Sequence, residues 1–483
     1  ALRSPRHPRS HLGRWRAFRG AAPALVGACV ATTLLWRLGD ALVLRTLSTT
    51  GRRHGRIRSL RATARLVSGT AVVVVAHGAG AVYTLSLAVI AVALPRGIAS
   101  AWAVAVIAVV AKEPAAAAFL RRRVFDDRLA SAASFRGAAE WRSTLALAGL
   151  RAASFCADDD DDAGKNAKSA GRTCRGLGDC VRYLTYAPLF VSGPTMTYAA
   201  FREHQQEPPP PTSSMPRGAG KAVSYVVRTV MGVVILEAAL RRYPCFAVAA
   251  SPGALERLAD RGGPEAVAGF LVLTVACLWL KFAAIWRIAR SLALVDAVDP
   301  PENMRRFVGD TLSVADFWRD WHASFRDWTT RYVYVPAGGR DRRVFATLCV
   351  FAFAVAFHDA TEPRVLAWGL ANALFVVLEN TTTTTTTGGV GRLTGARRRR
   401  RALHSALVIA GLILANVVGY SVGLGGLHRL SSWGTTTGAA ALARAGLKVL
   451  LFFYAAADNA ISVRRIEVLA AAETAHTPNG KTS

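Results

Sequence analysis

Two histidines, His322 and His358, are the residues of this sequence best suited to chemistry at neutral pH. An unperturbed imidazole has a pKa of about 6.5, so a histidine can take a proton from a hydroxyl group as a general base. His358 follows the apolar run 344–357 and directly precedes Asp359. Ionisable groups at membrane depth are costly and usually have a partner or line a cavity. His358 is therefore either a structural histidine, bonded to Asp359 or to a neighbouring helix, or a functional base.

His322 lies in an aromatic segment, 312–339, that predicts a helix at a membrane interface. At about 100° per residue, His322 falls about 80° from the middle of the aromatic face, on its border with Arg319 and Arg326. It is either an interfacial histidine that caps a helix or bonds a carbonyl group, or a functional group at this boundary. Asp327 falls on the far side of the helix, so we do not expect it to pair with His322. The aromatic residues recur at steps of three and four, and they are Trp318, Trp321, Phe325, Trp328 and Tyr332.

Long apolar runs dominate the rest of the chain, which has 483 residues and is 52% hydrophobic. Several runs approach the roughly 20 residues that a helix needs to cross a bilayer, and shorter ones fit half-spans or tilted helices. We therefore predict an all-α integral membrane protein with roughly 9 to 11 transmembrane or re-entrant helices, on the same length argument. The runs are 66–95, 101–111, 222–240, 266–288, 344–357, 403–424 and 439–457.

The formal net charge of +29 is distributed as short basic loops between the apolar runs. This distribution is typical of membrane topology and of contact with anionic lipids, so membrane lipids are expected partners. Neither a nucleic-acid-binding motif nor a soluble basic domain is present, and we expect no nucleic-acid partner. A basic N-terminal tail precedes the apolar stretch 21–36 without a convincing cleavage site, which predicts a retained signal anchor.

The seven cysteines are scattered and predict no metal site. We also expect no permanently bound cofactor. Cys174 and Cys180 could close a loop or, with Cys156, bind a metal, but free thiols fit their spacing better. Five consecutive aspartates, 158–162, lack the glycine turn and closing glutamate of a calcium loop and indicate a solvated loop.

Composition divides the chain into segments, with the chemistry expected between about 176 and 380. The predicted segments are a basic tail (1–19), N-terminal transmembrane helices (20–144), a catalytic core (145–380) with an acidic loop (157–180) and a proline-rich linker (207–217), a Thr- and Arg-rich loop (381–401), C-terminal transmembrane helices (402–470) and a tail (471–483).

An ordered set of segments resembles the membrane-bound O-acyltransferase family, in the branch of the yeast glycerol-uptake proteins and Hedgehog acyltransferase. The set covers roughly residues 145–380. Its residues are Leu150 to Phe155, Tyr186 to Pro194, Trp286-Arg287, Asp299 to Met304, Phe317 to His322, Arg331 to Pro336, Gly338-Gly339, His358-Asp359, Trp368 and Glu379-Asn380. Phe357, where the family usually has Trp, and Ala337, where Leu often precedes Gly-Gly, depart from the pattern and bear on pocket shape.

The resemblance implies a helical fold around a central substrate tunnel, with His358 and His322 as the catalytic pair. It implies a long-chain acyl-coenzyme A co-substrate and a hydroxyl acceptor on a lipid or protein. Pro188, Gly193 and Pro194 break an apolar stretch, and non-helical backbone at membrane depth must be covered, so we expect it to line the tunnel. The expected substrate-binding residues are Trp321, Arg319, Arg326, Asp359, Trp286 and Pro194, of which the two arginines could pair with phosphates or lie at lipid headgroups.

The resemblance makes remodelling of glycosylphosphatidylinositol anchors in the endoplasmic reticulum membrane the leading expectation. Protein acylation and neutral-lipid synthesis stay open. Two other classes remain as alternatives: a glycerol or small-solute transporter, which would often show paired interrupted repeats that are not visible here, and a non-catalytic regulatory membrane protein. The presence of both histidines favours an enzyme over either.

Overall fold

The computed structural model of the protein describes residues 11–46, 52–124, 137–158, 176–206, 219–296, 298–382 and 395–476. Within these ranges the chain is helical, and strand pairing is limited to one isolated antiparallel bridge between Met304 and Trp321. The predicted all-α class is confirmed. Cys174, the proline-rich linker 207–217 and most of the acidic and Thr-rich segments lie outside the described residues.

The chain divides into two compact units that are each discontinuous in sequence. Among the described residues, the N-terminal unit contains those within 14–234 and 283–303, and the C-terminal unit contains those within 11–13, 235–282 and 304–476. His322 and His358 both belong to the C-terminal unit. Trp286 and Pro194 belong to the N-terminal unit.

Nineteen α-helices are described along the chain. The first nine are α1 (His11–Thr46), α2 (Arg52–His77), α3 (Ala81–Ala93), α4 (Ile98–Ala111), α5 (Pro114–Val124), α6 (Arg142–Ala157), α7 (Leu177–Leu184), α8 (Ala187–Phe190) and α9 (Tyr198–Gln206). The others are α10 (Ala219–Arg242), α11 (Cys245–Ala249), α12 (Pro252–Val295), α13 (Val314–Asp320), α14 (Ala323–Thr329), α15 (Arg343–Asp359), α16 (Pro363–Thr382), α17 (Gly395–Tyr420), α18 (Gly423–Thr437) and α19 (Ala439–His476).

Six of the described helical segments are long and apolar enough to cross a membrane, and a seventh forms if α4 and α5, bent by 92°, count as one broken span. The predicted total of 9 to 11 is larger because it includes half-spans such as the run 344–357, which is part of the 17-residue helix α15. The multi-pass membrane class follows from these segments. They are Trp15–Leu34, Ala62–Ala93, Ala222–Arg242, Gly253–Val295, Gly395–Tyr420 and Ala439–Ala470.

The predicted break around Pro188 is present in the N-terminal unit. The short helix α8 ends at Phe190, and non-helical backbone continues to the start of α9 at Tyr198. Carbonyl groups freed by such a break need donors where water is excluded. The buried guanidinium of Arg151, on α6, donates to the carbonyl groups of Leu184 and Leu189 and satisfies two of them.

Helices α15, α16 and α17 pack closely in the C-terminal unit because glycines occupy the contact points. A Cβ atom on Gly369 of α16 would lie 2.3 Å from Cγ2 of Val355 on α15. A Cβ atom on Gly419 of α17 would lie 2.7 Å from Cβ of Trp368 on α16. Near the other end of α17, the Arg398 guanidinium donates to the Asp458 carboxylate of α19 at 2.5 and 2.7 Å. These contacts set the positions of the helices that hold His358.

Candidate active site

The backbone leaves the helical conformation at His322. Helix α13 ends at Asp320, Trp321 is extended (φ −89°, ψ 126°), and His322 is left-handed (φ 45°, ψ 49°) before α14 begins. His322 is the only residue other than glycine with a positive φ in the described part of the chain. This conformation costs free energy for a residue with a Cβ atom and occurs preferentially at functional sites.

The expectation of one continuous helix through the aromatic segment is therefore wrong. Its aromatic residues form two groups instead of a single stripe. Trp321 packs on Phe317 and Phe282, with ring centroids 5.6 and 5.9 Å apart. Beyond the break, Trp328 stacks on Phe353 of α15 at 5.3 Å. The position of His322 relative to a stripe consequently has no meaning in the folded chain.

Helix α13, which leads into the break, is capped by two side chains. The Ser313 hydroxyl accepts a hydrogen bond from the N–H of Asp316 at 3.0 Å. The Glu379 carboxylate of α16 accepts from the N–H groups of Val314 and Ala315, both at 2.9 Å. A negative charge at a helix N-terminus is favourable because it faces free donors and the positive end of the helix dipole.

The far end of α13 is fixed by backbone hydrogen bonds. The N–H of Arg305 donates to the carbonyl group of Asp320 at 3.1 Å, next to the bridge between Met304 and Trp321. The His322 carbonyl group then accepts from the first turn of α14, from Phe325 at 2.9 Å and from Arg326 at 3.0 Å. His322 is held on both sides, so its unusual conformation is determined by its surroundings.

His358 lies in the last turn of α15 and is exposed. Its ring contacts Phe357 and Trp368, each at 5.6 Å between centroids, and Tyr420 of α17 at 5.8 Å. The Asp359 carboxylate accepts hydrogen bonds from the N–H and hydroxyl of Thr361, at 3.2 and 2.7 Å, which closes the turn after α15. This turn is a structural role for Asp359; its predicted part in substrate binding stays a prediction.

Two phenylalanine rings connect the candidate histidines. The His322 ring stacks on Phe325 (5.0 Å, 19°), Phe325 contacts Phe357 (4.9 Å), and Phe357 contacts His358 (5.6 Å). Burial and, second, the electrostatic interaction with His358 lower the pKa of His322 from 6.5 to about 3. His322 is therefore a neutral imidazole at neutral pH, with one nitrogen able to donate and the other to accept.

Trp368 and Tyr420 complete the aromatic surroundings of His358. Their rings lie 5.2 Å apart, and Trp318 of α13 contacts Trp368 at 5.8 Å. Tyr420 lies beyond the predicted core 145–380, and sequence reasoning missed it. The one available signal is weak: a tyrosine near the end of the apolar run 403–424, where its hydroxyl can reach polar surroundings.

The two arginines predicted to bind phosphate have carboxylate partners within their own segment. Arg319 donates to Asp316 at 2.6 Å, and Arg326 pairs with Asp327 at 2.9 Å. Asp327 also lies 3.8 Å from Arg305. An anionic ligand at either arginine would compete with these carboxylates, and the phosphate role stays a prediction.

Trp286 and Pro194, the other predicted binding residues, are buried in the N-terminal unit. Pro194 is part of the non-helical segment before α9, as the sequence predicts. Their roles towards substrate stay predictions. The six described cysteines are free thiols, and within the described ranges no three His, Cys, Asp or Glu side chains gather as a metal-binding group.

Comparison with known proteins shows which family and which relatives the chain resembles. Residues 166–392 match the membrane-bound O-acyltransferase family. The chain is 31% identical over 253 residues to membrane-bound O-acyltransferase GUP1 of Candida tropicalis, covering 52% of this chain and 41% of that protein. It is 30% identical over 259 residues to GUP1 of Saccharomyces cerevisiae, covering 53% and 43%.

A more distant relative is the protein-cysteine N-palmitoyltransferase HHAT of Mus musculus, 25% identical over 247 residues, which are 49% of this chain and 48% of that protein. The chain spans less than half the length of each of these three relatives. The matched family region contains both candidate histidines and Trp368 but not Tyr420.

Proposed function

We propose that the chain transfers a long-chain acyl group from acyl-coenzyme A to a hydroxyl group, because residues 166–392 match the membrane-bound O-acyltransferase family and the chain is similar to the GUP1 proteins and HHAT. The observation that supports this most is the connection of His322 and His358 through Phe325 and Phe357. Two imidazoles in one apolar, aromatic surrounding suit a reaction between an acyl chain and a hydroxyl.

His358 is the general base of this proposal. It takes the proton of the acceptor hydroxyl while the oxygen attacks the thioester carbonyl carbon. The new C–O bond forms, the tetrahedral intermediate collapses, the C–S bond breaks, and the proton passes to the departing thiolate. A positioned base contributes about 10²- to 10⁴-fold to such a step. The exposure of His358 makes its ring accessible to an acceptor.

His322 positions the acceptor in this proposal. Because its low pKa keeps it neutral, it presents one donor and one acceptor nitrogen without adding a positive charge. A neutral imidazole can donate a hydrogen bond to the oxygen of the acceptor hydroxyl. The proton of that hydroxyl is transferred to His358. The strained backbone of His322 fits such a role, since a ring held by its main chain loses little freedom on binding.

A lipid hydroxyl is the favoured acceptor, with remodelling of glycosylphosphatidylinositol anchors in the endoplasmic reticulum as the leading candidate. Identity to the O-acyltransferases, at 30 to 31%, exceeds identity to the protein-cysteine N-palmitoyltransferase, at 25%. This ranking favours a hydroxyl over an amine. Acylation of a protein is the second candidate, and a coenzyme A thioester is the expected co-substrate in both.

A panel of acceptors tests the proposal. Purified protein in lipid nanodiscs would receive radiolabelled palmitoyl-coenzyme A with lyso-phosphatidylinositol, a glycosylphosphatidylinositol lyso-lipid, diacylglycerol or a cysteine-terminated peptide. Labelled lipid ester from one lyso-lipid is the expected product. If only the peptide is labelled, the acyl acceptor is a protein and not a lipid. If the protein forms no acyl product but takes glycerol up into vesicles, it is a transporter and not an acyltransferase.

A further inference from the structure

The indole N–H group of Trp368 is buried and donates a hydrogen bond to no described residue. Trp368 is only 3% exposed, and its Nε1 atom has no hydrogen-bond acceptor within reach in the described part of the chain. Buried N–H groups are nearly always paired, so an orphan of this kind needs an explanation. Trp279, in the same unit, shows the ordinary case, because its indole donates to the carbonyl group of Arg306 at 3.0 Å.

The orphaned indole is held in place by its neighbours. Val355 and Val365 pack against it from α15 and α16, and Tyr420 covers it from α17. The backbone of Gly419 approaches so closely that an added Cβ atom would lie 2.9 Å from Cγ and 3.0 Å from Cδ1 of the indole. A ring confined in this way cannot easily turn its N–H towards another partner.

The indole also lies against the candidate base. The Trp368 and His358 rings are 5.6 Å apart between centroids and nearly perpendicular, at 89°. A group bound at His358 would therefore be a neighbour of the Trp368 side chain. The partner that the N–H lacks within the protein fits a substrate atom that arrives beside His358.

We propose that the Trp368 indole N–H donates a hydrogen bond to the carbonyl oxygen of the bound acyl thioester and to the oxyanion that this oxygen becomes. The inference rests on the proposed function. As the acceptor oxygen attacks, the carbonyl electron pair moves onto this oxygen, and it returns when the C–S bond breaks. The indole keeps its proton throughout and acts only as a donor.

The chemistry favours the carbonyl oxygen over the acceptor hydroxyl as the partner of the indole. A hydrogen bond donated to the attacking oxygen, as proposed for His322, holds that oxygen in place but does not strengthen as negative charge moves to the carbonyl oxygen. A hydrogen bond donated to the carbonyl oxygen strengthens as negative charge develops there, which lowers the barrier. An indole has no acceptor atom and so cannot share in removing the hydroxyl proton, which leaves that role to His358.

The test removes the indole N–H group of Trp368 and keeps the shape of the side chain. Trp368 would be replaced by 3-benzothienylalanine, in which sulfur stands for N–H, and Trp279 would carry the same substitution as the matched control. We expect kcat for acyl transfer to fall by about 10²- to 10³-fold at Trp368, with little change in KM for palmitoyl-coenzyme A. The Trp279 replacement should keep kcat within a few-fold of wild type.

A second readout does not depend on turnover. The infrared band of a ¹³C-labelled thioester carbonyl would be recorded with palmitoyl-coenzyme A bound to His358→Ala protein, with and without the replacement at Trp368. A lower band frequency that reverts on loss of the N–H supports the inference. Equal frequencies, or wild-type kcat in the Trp368 replacement, would overturn it. A wild-type chain that binds no thioester would overturn the proposed function and this inference together.

Discussion

Arg464, in the C-terminal half of α19, donates to the Asp316 carboxylate of α13 at 2.7 Å. The same guanidinium donates to the carbonyl group of Asp310 at 3.1 Å. Both partners of the pair are largely buried, with 15% and 11% of their side chains exposed. Since α13 leads directly to Trp321 and His322, helix α19 contributes to positioning the candidate site.

Replacement of Arg464 by Ala should therefore destabilise the C-terminal unit. We expect a loss of about 2 to 3 kcal/mol in the free energy of unfolding, because a buried carboxylate loses a charged partner, together with a fall in acyl transfer. Thermal unfolding in detergent measures the first effect. Arg465, the exposed neighbour on the same helix, supplies the control, and equal melting temperatures for the two alanine variants would contradict the role of the pair.

The left-handed backbone of His322 predicts an unusual order of variant stabilities. His322→Ala and His322→Gly both remove the imidazole, but only glycine adopts this conformation without steric cost. We expect His322→Gly to unfold at a higher temperature than His322→Ala, by the equivalent of about 1 kcal/mol. A glycine variant that is the less stable of the two would show that the backbone is relaxed there.

The lowered pKa of His322 predicts a specific dependence of stability on pH. The folded chain leaves this imidazole neutral down to a pH of about 3, whereas in the unfolded chain it binds a proton near pH 6.5. Acid therefore favours the unfolded state: the contribution is present above pH 6.5 and is lost as the pH falls towards 3. Between pH 6.5 and 4, wild type should lose about 1 to 3 kcal/mol more than His322→Asn.

Melting temperatures of the two proteins across this pH range measure the difference directly. Parallel curves would mean that His322 titrates normally in the folded protein. A wild-type curve that falls more steeply below pH 6.5 supports the buried neutral imidazole.

Gly419→Ala should disturb the candidate site without touching a polar group. The new methyl group would meet Cβ, Cγ and Cδ1 of Trp368 at 2.7 to 3.0 Å, so either the indole or α17 must shift. We expect about 1 to 3 kcal/mol of destabilisation and at least a tenfold loss of acyl transfer.

Gly446→Ala on α19 is the matched control for this change. Nothing lies within 4 Å of the Cβ atom that it would add. Alanine there should keep or raise stability, since it is the better helix former. If Gly419→Ala and Gly446→Ala have the same stability and the same rate of acyl transfer, the close contact between Gly419 and Trp368 is not needed for either property.

The features that depend on local sequence could be predicted. Apolar runs gave the membrane class, and the break around Pro188 followed from residues that interrupt a helix. His358 could be predicted as a candidate base because it is an ionisable group at the end of the apolar run in α15. Each of these inferences needs only a short stretch of chain.

The break at His322 could not be predicted, because the aromatic spacing continues across it and neither proline nor glycine marks it. It depends on partners distant in sequence, such as Glu379, which caps α13 from α16. The contact of His358 with Tyr420 likewise joins residues of different helices. Asp359, adjacent to His358 in sequence, instead bonds Thr361 in the turn that follows.

The role of His358 as the base of the proposed acyl transfer is tested most directly by comparing two histidine variants. Release of coenzyme A thiol and formation of labelled ester from palmitoyl-coenzyme A would be followed together for wild type, His358→Ala and His428→Ala. His428, an exposed histidine on α18, is the control. We predict that ester and thiol appear in equal amounts in wild type and His428→Ala and fall by about 10²- to 10⁴-fold in His358→Ala. Unchanged ester formation by folded His358→Ala protein would contradict the account.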